Sequence, residues 1–593
     1  KALAAAKDGD TVKLVGNIST NEGVEVVKKI TLDMAEHTIT SSVKQVFTVT
    51  GSGDLTIIGN GTIAGPTGEA AKALDGKAGL VVSGENAKLT VLNGTITAGG
   101  VDDCGMYGVY VKDGGNVILG DADTKAGPTI TTWFAAVGEN NTTSPANITI
   151  YGGEYTEQAN PVSGNTVASW AYLCAPVYAS ASGNINIYGG TFNGYYGISS
   201  RYVKVAQNLN ISGGTFIGTE AALFVDDVEG SAKNGERAIA ITGGTFSSNP
   251  SAYLAVGYKA TENSGIWAVK KMDGYAMIEG LAGWYETLTD AAKAWRESNG
   301  IATTGGNMGG HPAELTEVEA IKWTIVGTVA TGDGNGVVGT SGSLLSGGYI
   351  HPSITIKSVS VNGTNNATLK NEISSDYAFS AGAENAVYKG ITFPEYVSFN
   401  SGAENVTFQN CTFNGGLKVM QAINVTVDTC VFEGDGSKDF AFMAQAVTNV
   451  MKKVDFKNNT VSGFMRGLNI QTHLGQIVEA VVTITNNNIS GLTGKTENGK
   501  TYGSAIQLTS GKTFSVSGNT IENAPVNALH IYTGCSADSI SIINNNISAK
   551  YLCWNAANYD LTKVTSSGNT CTIDVAGKCF TKTEEIDSTF TLS

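Results

Sequence analysis

The sequence is poor in charge, proline, arginine and cysteine, and each shortage excludes a class of protein. Charged residues make up 15% of the 593 residues, with only 10 prolines and four arginines. A formal net charge of -15 argues against a nucleic-acid partner, because phosphate binding needs a basic surface. Eight cysteines without a CxxC pair form neither a disulfide framework nor a structural metal site. No run approaches the roughly 18 apolar residues of a membrane span, so we expect a soluble chain with no membrane insertion. We also expect no cofactor.

Glycine, in contrast, is abundant at 75 residues, and the hydrophobic content is 41%. This composition suits many short strands joined by tight corners. A chain of 593 residues is too long for one conventional globular domain, so it holds either several domains or a repetitive array. The chain begins at Lys1, close to an apolar stretch, and we take it as a mature or partial chain without its targeting signal.

A recurring unit favours the array. It is a short strand followed by Gly-Gly-Thr-Phe in the first half and by Asn-Asn-x-Ile in the second. The apolar residue that closes the motif recurs at irregular intervals: Phe192, Phe216 and Phe246, then Val461, Ile489, Ile521 and Ile547. Coils of a β-helix keep their strands and vary their loops. The sequence therefore predicts an all-β fold, a right-handed parallel β-helix with coils of roughly two dozen residues.

The strands alternate with a period of two. Ile185 and Ile187 are predicted to point into the core, and Asn184 and Asn186 to point outward. The connections are too short for a crossover helix, so successive coils are predicted to stack in parallel, about 4.8 Å apart.

Asparagines that follow the strands are predicted to have a structural role. Asparagine tolerates a left-handed backbone, and stacked amides can hydrogen-bond from coil to coil. In the first half of the chain, Gly-Gly pairs occupy the corresponding turns. The positions are Asn458, Asn459, Asn487, Asn519, Asn545 and Asn569. We interpret the Asn-x-Ser/Thr triplets at Asn93, Asn147, Asn405 and Asn424 in the same way, as inward turns and not as glycosylation acceptors.

Two segments are predicted to be capping helices, Ala2 to Ala6 and WYETLTDAAKAW from Trp284 to Trp295. An open solenoid end exposes its core and its strand edges, so each stack needs a cap. We therefore predict two tandem stacks, residues 1–283 with Gly-Gly-Thr-Phe coils and residues 284–593 with Asn-ladder coils. The first is predicted to end in a strand pair within Gly265 to Gly280.

The capping segments and their surroundings also carry a family resemblance. AAAKDGDTVKLVGNI, KKITLDMAEHTIT (Lys28 to Thr40) and WYETLTDAAKA resemble the start of pectin-lyase-like parallel β-helix modules in secreted and surface proteins of Gram-positive, often gut-dwelling, bacteria. The resemblance implies an extracellular or cell-surface location. It implies no single activity, because that superfamily includes polysaccharide lyases, glycoside hydrolases, tailspikes and non-catalytic adhesins.

Cys411 and Cys430 stand in the matching segments FQNCTF and VDTCVF. As stacked neighbours they are either two free thiols in a core ladder, which we favour, or a disulfide between coils.

Enzymes of this superfamily place convergent charges in a groove beside one stacked sheet. A lyase needs cations around a uronate together with a base, and a hydrolase needs an acid and a base several ångström apart. The best constellation in this chain is an aromatic patch in neighbouring coils, where aligning Phe192 with Phe216 places Tyr202 near Asp226 and Arg201 near Val225. The members of this patch are Trp170, Tyr172, Tyr195, Tyr196, Arg201, Tyr202, Asp226 and Asp227.

Three interpretations of the patch stay open. It is a structural stack with a surface ion pair, a binding site for a sugar or a protein, or a catalytic site. Catalysis is disfavoured because the consecutive Asp226 and Asp227 would point to opposite faces of a strand. The five histidines are scattered through different coils, so no metal ligand and no catalytic residue is assigned.

The expected function is that of a monomeric, non-catalytic, adhesin-like protein. It would present a lateral β-helix face to a host protein, such as mucin or immunoglobulin, or to a glycan. The alternatives are a polysaccharide lyase or hydrolase and a structural stalk.

Overall fold

The computed structural model divides the chain into two compact units, Lys1–Met272 and Asp273–Ser593. It describes residues 2–67, 78–98, 107–140, 144–159, 174–180, 183–201, 207–226, 237–301, 311–332, 354–370, 376–379, 383–400, 403–420, 422–446, 451–473, 479–580, 585–587 and 590–593. No helix among these residues has the length and apolar character that crossing a membrane would require.

In the first unit, each coil contributes strands to three parallel ladders, here named A, B and C. Ladder A contains Thr11–Lys13, Lys29–Asp33, Asp54–Ile58, Lys88–Val91, Asn116–Leu119, Ala146–Ile150, Gly183–Ile187, Gln207–Ile211 and Arg237–Ile241. Ladder B contains Ile18–Thr20, Thr38–Ser41, Thr62–Ala64, Thr95–Ala98, Thr129–Thr132, Glu154–Glu157 and Thr245–Phe246. Ladder C contains Val24–Val26, Phe47–Thr50, Ala78–Ser83, Tyr107–Lys112, Ala135–Asn140 and Val177–Ser180. Two long strands, Thr191–Arg201 and Thr215–Asp226, run through both B and C.

The second unit repeats this arrangement. Its ladder A contains Glu317–Ala330, Thr355–Lys370, Ala383–Lys389, Asn405–Gln409, Asn424–Asp428, Lys453–Lys457, Val481–Thr485, Thr513–Ser517, Ser539–Ile543 and Val564–Ser567. Ladder B contains Thr392–Phe393, Thr412–Phe413, Val431–Glu433, Thr460–Ser462, Asn488–Ile489 and Thr570–Ile573. Ladder C contains Asp376–Phe379, Tyr396–Asn400, Leu417–Met420, Phe440–Gln445, Arg466–Gln471, Ser504–Ser510 and Lys578–Phe580, and the long strands Thr520–Ile531 and Asn546–Asn555 run through B and C. A hairpin of Lys495–Glu497 and Lys500–Tyr502 is inserted between coils, and Glu585–Asp587 pairs with Lys578–Phe580.

Alternation of side chains builds the core. In Gly183–Ile187, for example, Ile185 and Ile187 are buried while Asn184 and Asn186 are only partly covered. This strand pairs with both of its ladder A neighbours in parallel and in register, as a buried face with a period of two requires. The predicted parallel β-helix is confirmed.

Apolar side chains form continuous stacks at the predicted positions. Tyr155, Phe192, Phe216 and Phe246 follow one another on ladder B with ring centroids 4.8 to 4.9 Å apart. In the second unit the column runs through Phe393, Phe413, Phe432, Val461, Ile489, Ile521 and Ile547. The stacks fix the register of coils whose loops differ in length.

The Gly-Gly turns between ladders A and B need glycine at both positions. The second glycine is left-handed, with φ between 100° and 113° at Gly153, Gly190, Gly214 and Gly244. A Cβ on the first glycine would meet the neighbouring coil, as at Gly189, where it would lie 2.5 Å from the Tyr151 carbonyl oxygen. The pair therefore permits both the turn and the close approach of coils.

The second unit contains an internal amide ladder. Asn459, Asn487, Asn519 and Asn545 are at most 2% exposed, and each donates Nδ2–H to the Oδ1 of the next, ending on Asn569, at 2.8 to 3.1 Å. The predicted ladder is confirmed, but the left-handed role belongs to the preceding residue in each coil. That residue is Asn458, Asn486 or Asn544, or Gly518 or Gly568.

Other asparagines form ladders on the outside. Asn147 and Asn184 donate to Asn116 and Asn147 at 3.0 Å. In the second unit Asn424 donates to Asn405, and Asn405 to Asn385. The triplets at Asn147, Asn405 and Asn424 therefore lie on strands facing outward, not at the inward turns expected for them.

Helices form at both predicted capping positions. Helix α1 (Ala2–Ala5) is one turn long, and its Leu3 packs against the first core. Helix α2 (Leu288–Ser298) is capped by Thr287, whose Oγ1 accepts from Asp290 N at 3.1 Å. Leu288 and Ala291 of α2 are fully buried in the second core.

The strands near the predicted boundary pair differently from expectation. Ile266–Lys271 is antiparallel to Tyr258–Asn263 and to Thr245–Phe246 of the first unit. Gly274–Ile278 is antiparallel to Glu317–Ala330 of the second. The expected pair within Gly265 to Gly280 is therefore wrong, because each strand completes a different core.

Candidate functional site

The structure describes four members of the predicted aromatic patch: Tyr195, Tyr196, Arg201 and Asp226. The other four, Trp170, Tyr172, Tyr202 and Asp227, lie outside the described residues.

Tyr195 and Tyr196 are half-buried where ladder B turns into ladder C. Their rings meet edge to face at 4.9 Å, and Tyr196 stacks on Phe224 at 4.7 Å. The Tyr195 hydroxyl donates to Glu220 Oε2 at 3.4 Å. This pair therefore presents a partly exposed aromatic edge.

Arg201 pairs with Asp226, not with Val225 as the alignment predicted. The register between the two long strands shifts by one residue between Gly194 and Tyr196, so every later pair is displaced. Arg201 Nε lies 3.6 Å from Asp226 Oδ2, with the two side chains 37% and 21% exposed. An ion pair of this kind stabilises by at most about 1 kcal/mol. Arg201 lies five positions after Tyr196 along the strand, roughly 16 Å away, so the structure does not gather the four described members of the patch into one site.

A buried carboxyl group lies beneath Tyr195. Glu157 is 6% exposed, and its Oε2 accepts the Tyr195 backbone N–H at 2.8 Å. Burial raises the pKa of Glu157 to about 8, so at neutral pH it is largely a protonated acid. The sequence could have predicted that the Glu157 side chain points inward, because Glu157 follows the inward-facing Tyr155 by two positions on the same strand.

A concave surface lies on the first unit, at the corner of ladders A and B. It is a groove of about 630 Å³ whose floor is formed by the Gly-Gly turns at Gly153, Gly190 and Gly214. Glycine gives this floor no side chains, so a ligand can lie directly against the backbone.

One wall of the groove is a column of threonines on ladder B. Thr129, Thr191, Thr215 and Thr245 occupy one register position, interrupted once by Glu154. Thr245 donates to Thr215 Oγ1 at 3.0 Å, and each threonine precedes a buried apolar residue, so its side chain faces outward. The column spans five strands, or roughly 19 Å.

Two tyrosines stand at the end of ladder A, immediately before the glycine turns. Tyr151 and Tyr188 stack with ring centroids 5.1 Å apart and an interplanar angle of 19°. Tyr188 is 45% exposed. Lys125 lies over both rings, with Nζ 5.0 Å and 5.7 Å from the centroids.

Lys125 comes from a structured loop that projects at the groove. Asp121 Oδ1 accepts the backbone N–H groups of Thr124 and Asp123, at 2.7 and 3.1 Å, and the Thr124 bond holds the pKa of Asp121 below its ordinary value. Lys125 itself is left-handed, with φ 59°. The loop therefore holds the backbone of Lys125 at the rim of the groove.

The ionisable residues that line the groove are Lys125 and Glu154. A glycosidase needs two carboxyl groups roughly 5 to 9.5 Å apart. Among the described residues, no three His, Cys, Asp or Glu side chains are grouped so as to hold a metal ion. The groove thus offers hydroxyls, one cation and one carboxylate to a ligand, and the two tyrosine rings stand beside it.

The groove was not predicted from the sequence. The available signal is that Tyr151 and Tyr188 each directly precede a Gly-Gly pair. No protein-family model matches the chain, and no curated protein matches it in sequence.

Proposed function

We propose that the protein is a non-catalytic, adhesin-like glycan-binding protein that uses the groove of its first unit. One observation carries this: the stacked pair Tyr151–Tyr188, of which Tyr188 is exposed, stands beside a glycine-floored groove walled by threonine hydroxyls.

Each part of the groove matches a feature of a sugar chain. The apolar C–H face of a pyranose packs on a tyrosine ring, and the threonine hydroxyls exchange hydrogen bonds with sugar hydroxyls. The groove lies on a preordered solenoid, so little conformational entropy is lost on binding. Because the threonine column runs from coil to coil, the ligand is an extended chain lying along the solenoid axis.

The resemblance to pectin-lyase-like modules of Gram-positive bacteria supports a secreted or cell-surface location. Host mucin glycans are the source we favour. Binding to a host protein such as immunoglobulin and turnover of a polysaccharide are the competing outcomes of the test.

The test is a glycan array with the full chain and three variants. Tyr188→Ala and Tyr151→Ala are expected to weaken binding at least tenfold, because each removes a ring that stacks on the ligand. Tyr275→Ala, on the half-buried strand Gly274–Ile278, is the control and is expected to bind normally.

A second assay separates binding from catalysis. Uronate and neutral polysaccharides are incubated with the chain, with and without calcium, and new chain ends are measured. Turnover that disappears in Glu154→Gln or Asp226→Ala would overturn the proposal. Binding to deglycosylated mucin or to immunoglobulin, unaffected by Tyr188→Ala, would assign a protein partner instead.

A further inference from the structure

A column of polar side chains lies on ladder C of the second unit. Asn469, Gln507, His530 and Trp554 occupy the same register position in four successive coils. The first three are only 8%, 5% and 4% exposed. Their strand neighbours point into the core, so these side chains project from the outer face and are nevertheless shielded from solvent.

Hydrogen bonds within the column fix the histidine tautomer. Gln507 Nε2 donates to Asn469 Oδ1 and to Thr509 Oγ1, both at 3.2 Å. Gln507 Oε1 therefore faces His530 Nδ1, at 3.2 Å. An amide oxygen only accepts, so Nδ1 carries the proton and His530 Nε2 is a bare acceptor.

Two polar atoms of the column lack partners. His530 Nε2 and Trp554 Nε1 are both buried, and neither finds a hydrogen-bond partner in the part of the chain that the structure describes. More than about 90% of buried polar groups in native proteins are paired, so two unpaired groups on one stack call for an explanation.

The ring geometry holds these atoms in place. The imidazole of His530 lies parallel to the Trp554 indole, with centroids 4.1 Å apart and an angle of 4°, and its edge meets Tyr532 at 5.4 Å. Burial, and then the charge of Arg466, lowers the pKa of His530 to about 3. His530 therefore stays neutral and keeps the Nε2 lone pair at physiological pH.

We propose that this column is a second ligand site, for a single neutral sugar residue. A hydroxyl of the sugar donates to His530 Nε2, and a sugar oxygen accepts from Trp554 Nε1. A charged ligand is disfavoured, because burying an ion without a partner costs several kcal/mol. The site lies in the other unit and does not depend on the groove.

A ligand reaches Nε2 only when a neighbouring side chain moves. Tyr502 ends the hairpin of Lys495–Glu497 and Lys500–Tyr502, and its ring lies 6.3 Å from that of Trp554. We assign this movement to Tyr502.

The sequence carries a signal for the column. Asn469, Gln507 and His530 are each flanked by two aliphatic residues, in LNI, IQL and LHI. A polar residue repeated at the centre of such triplets marks one outward column of a parallel ladder.

The test is a titration of the full chain, labelled with ¹⁵N-histidine, with glucose, galactose, mannose and N-acetylglucosamine. We expect at least one sugar to shift the His530 Nε2 resonance saturably. His530→Phe keeps the stack on Trp554 and removes the acceptor, so we expect calorimetric titration with the same sugar to show about tenfold weaker binding, the effect of one hydrogen bond. His37→Phe, in the first unit, is the matched control.

Three results would overturn the site: no sugar shifts the His530 resonance, His530→Phe binds like the wild type at an unchanged melting temperature, or the shift disappears in Tyr188→Ala. The last would locate the bound sugar in the groove. Tyr502→Ala is expected to speed association, and slower association would refute the movement assigned to Tyr502.

Discussion

The internal amide ladder makes a quantitative prediction for Asn487→Ala. Asn487 Oδ1 accepts from Asn459 N and Nδ2 at 2.9 and 3.1 Å, and its Nδ2 donates to Asn519 Oδ1 and the Phe456 carbonyl at 2.8 and 3.0 Å. Alanine removes all four hydrogen bonds inside a core that water does not reach.

The magnitude follows from the groups left behind. Asn459 Nδ2 retains a bond to the Val427 carbonyl, and Asn519 Oδ1 retains one from the Asn487 backbone N–H. The Asn459 backbone N–H and the Phe456 carbonyl lose the Asn487 side chain as a hydrogen-bond partner, which lowers stability by about 1 to 3 kcal/mol for each group. We therefore expect a local loss of about 4 kcal/mol.

Hydrogen exchange measured by mass spectrometry provides the assay. A loss of about 4 kcal/mol would speed exchange by roughly a thousandfold in the coils that flank residue 487, where exchange reports local opening. Asn405→Ala is the control, because Asn405 makes the same amide-to-amide bonds on the exposed face, at 2.7 and 2.9 Å. Water replaces those bonds, so an effect within about 0.5 kcal/mol is expected. Equal effects of the two substitutions would refute the role given to burial.

Three further predictions concern the buried acid, the glycine turns and the cysteines. The pKa of Glu157 rises on folding from 4.5 to about 8, so stability should fall with rising pH between these values, by up to about 1.4 kcal/mol per pH unit, and level off above 8. Glu157→Gln should remove this pH dependence from the urea unfolding midpoint of the first unit. If the midpoints of the variant and the wild type changed with pH in parallel, the prediction would be contradicted. Gly190→Ala puts a side chain at φ 107°, so we expect at least about 1 kcal/mol lower stability, which a normal thermal transition would disprove. Cys411 and Cys430 are free, buried thiols, so both should resist iodoacetamide until urea is added; a need for reductant would instead establish a disulfide.

Features that repeat within a coil could be predicted from the sequence. The stack through Phe192, Phe216 and Phe246 follows from a motif that places one apolar residue after one turn, whatever the loop length. The Asn487 ladder follows for the same reason, since the motif fixes where each amide lies in its coil. In both cases the position of a residue within its sequence motif also determines its position in the folded coil.

Features that depend on the offset between coils could not be predicted. Arg201 faces Asp226 only because the strand Thr215–Asp226 has one extra residue between Gly218 and Ala221, opposite Gly194 and Tyr196, and the Phe192 alignment continues past that point without a signal. The groove needs three separate elements to converge: a glycine floor, the Tyr151–Tyr188 pair and the loop that holds Lys125. Each element is ordinary turn or strand chemistry when taken alone.

The asparagine ladders also bear on how the solenoid resists force. A pull along the axis loads the bonds between coils, since the covalent chain winds across it. In the second unit the outer ladder spans the coils from Asn385 to Asn424, and the inner ladder takes over where Asn459 Oδ1 accepts Cys430 N at 2.8 Å. Side-chain amides thus reinforce every coil boundary from Asn385 to Asn569. The described coils before Asn116 and those between Asn210 and Asn385 have no such amide-to-amide bond, so a stretched molecule should begin to open in these two segments.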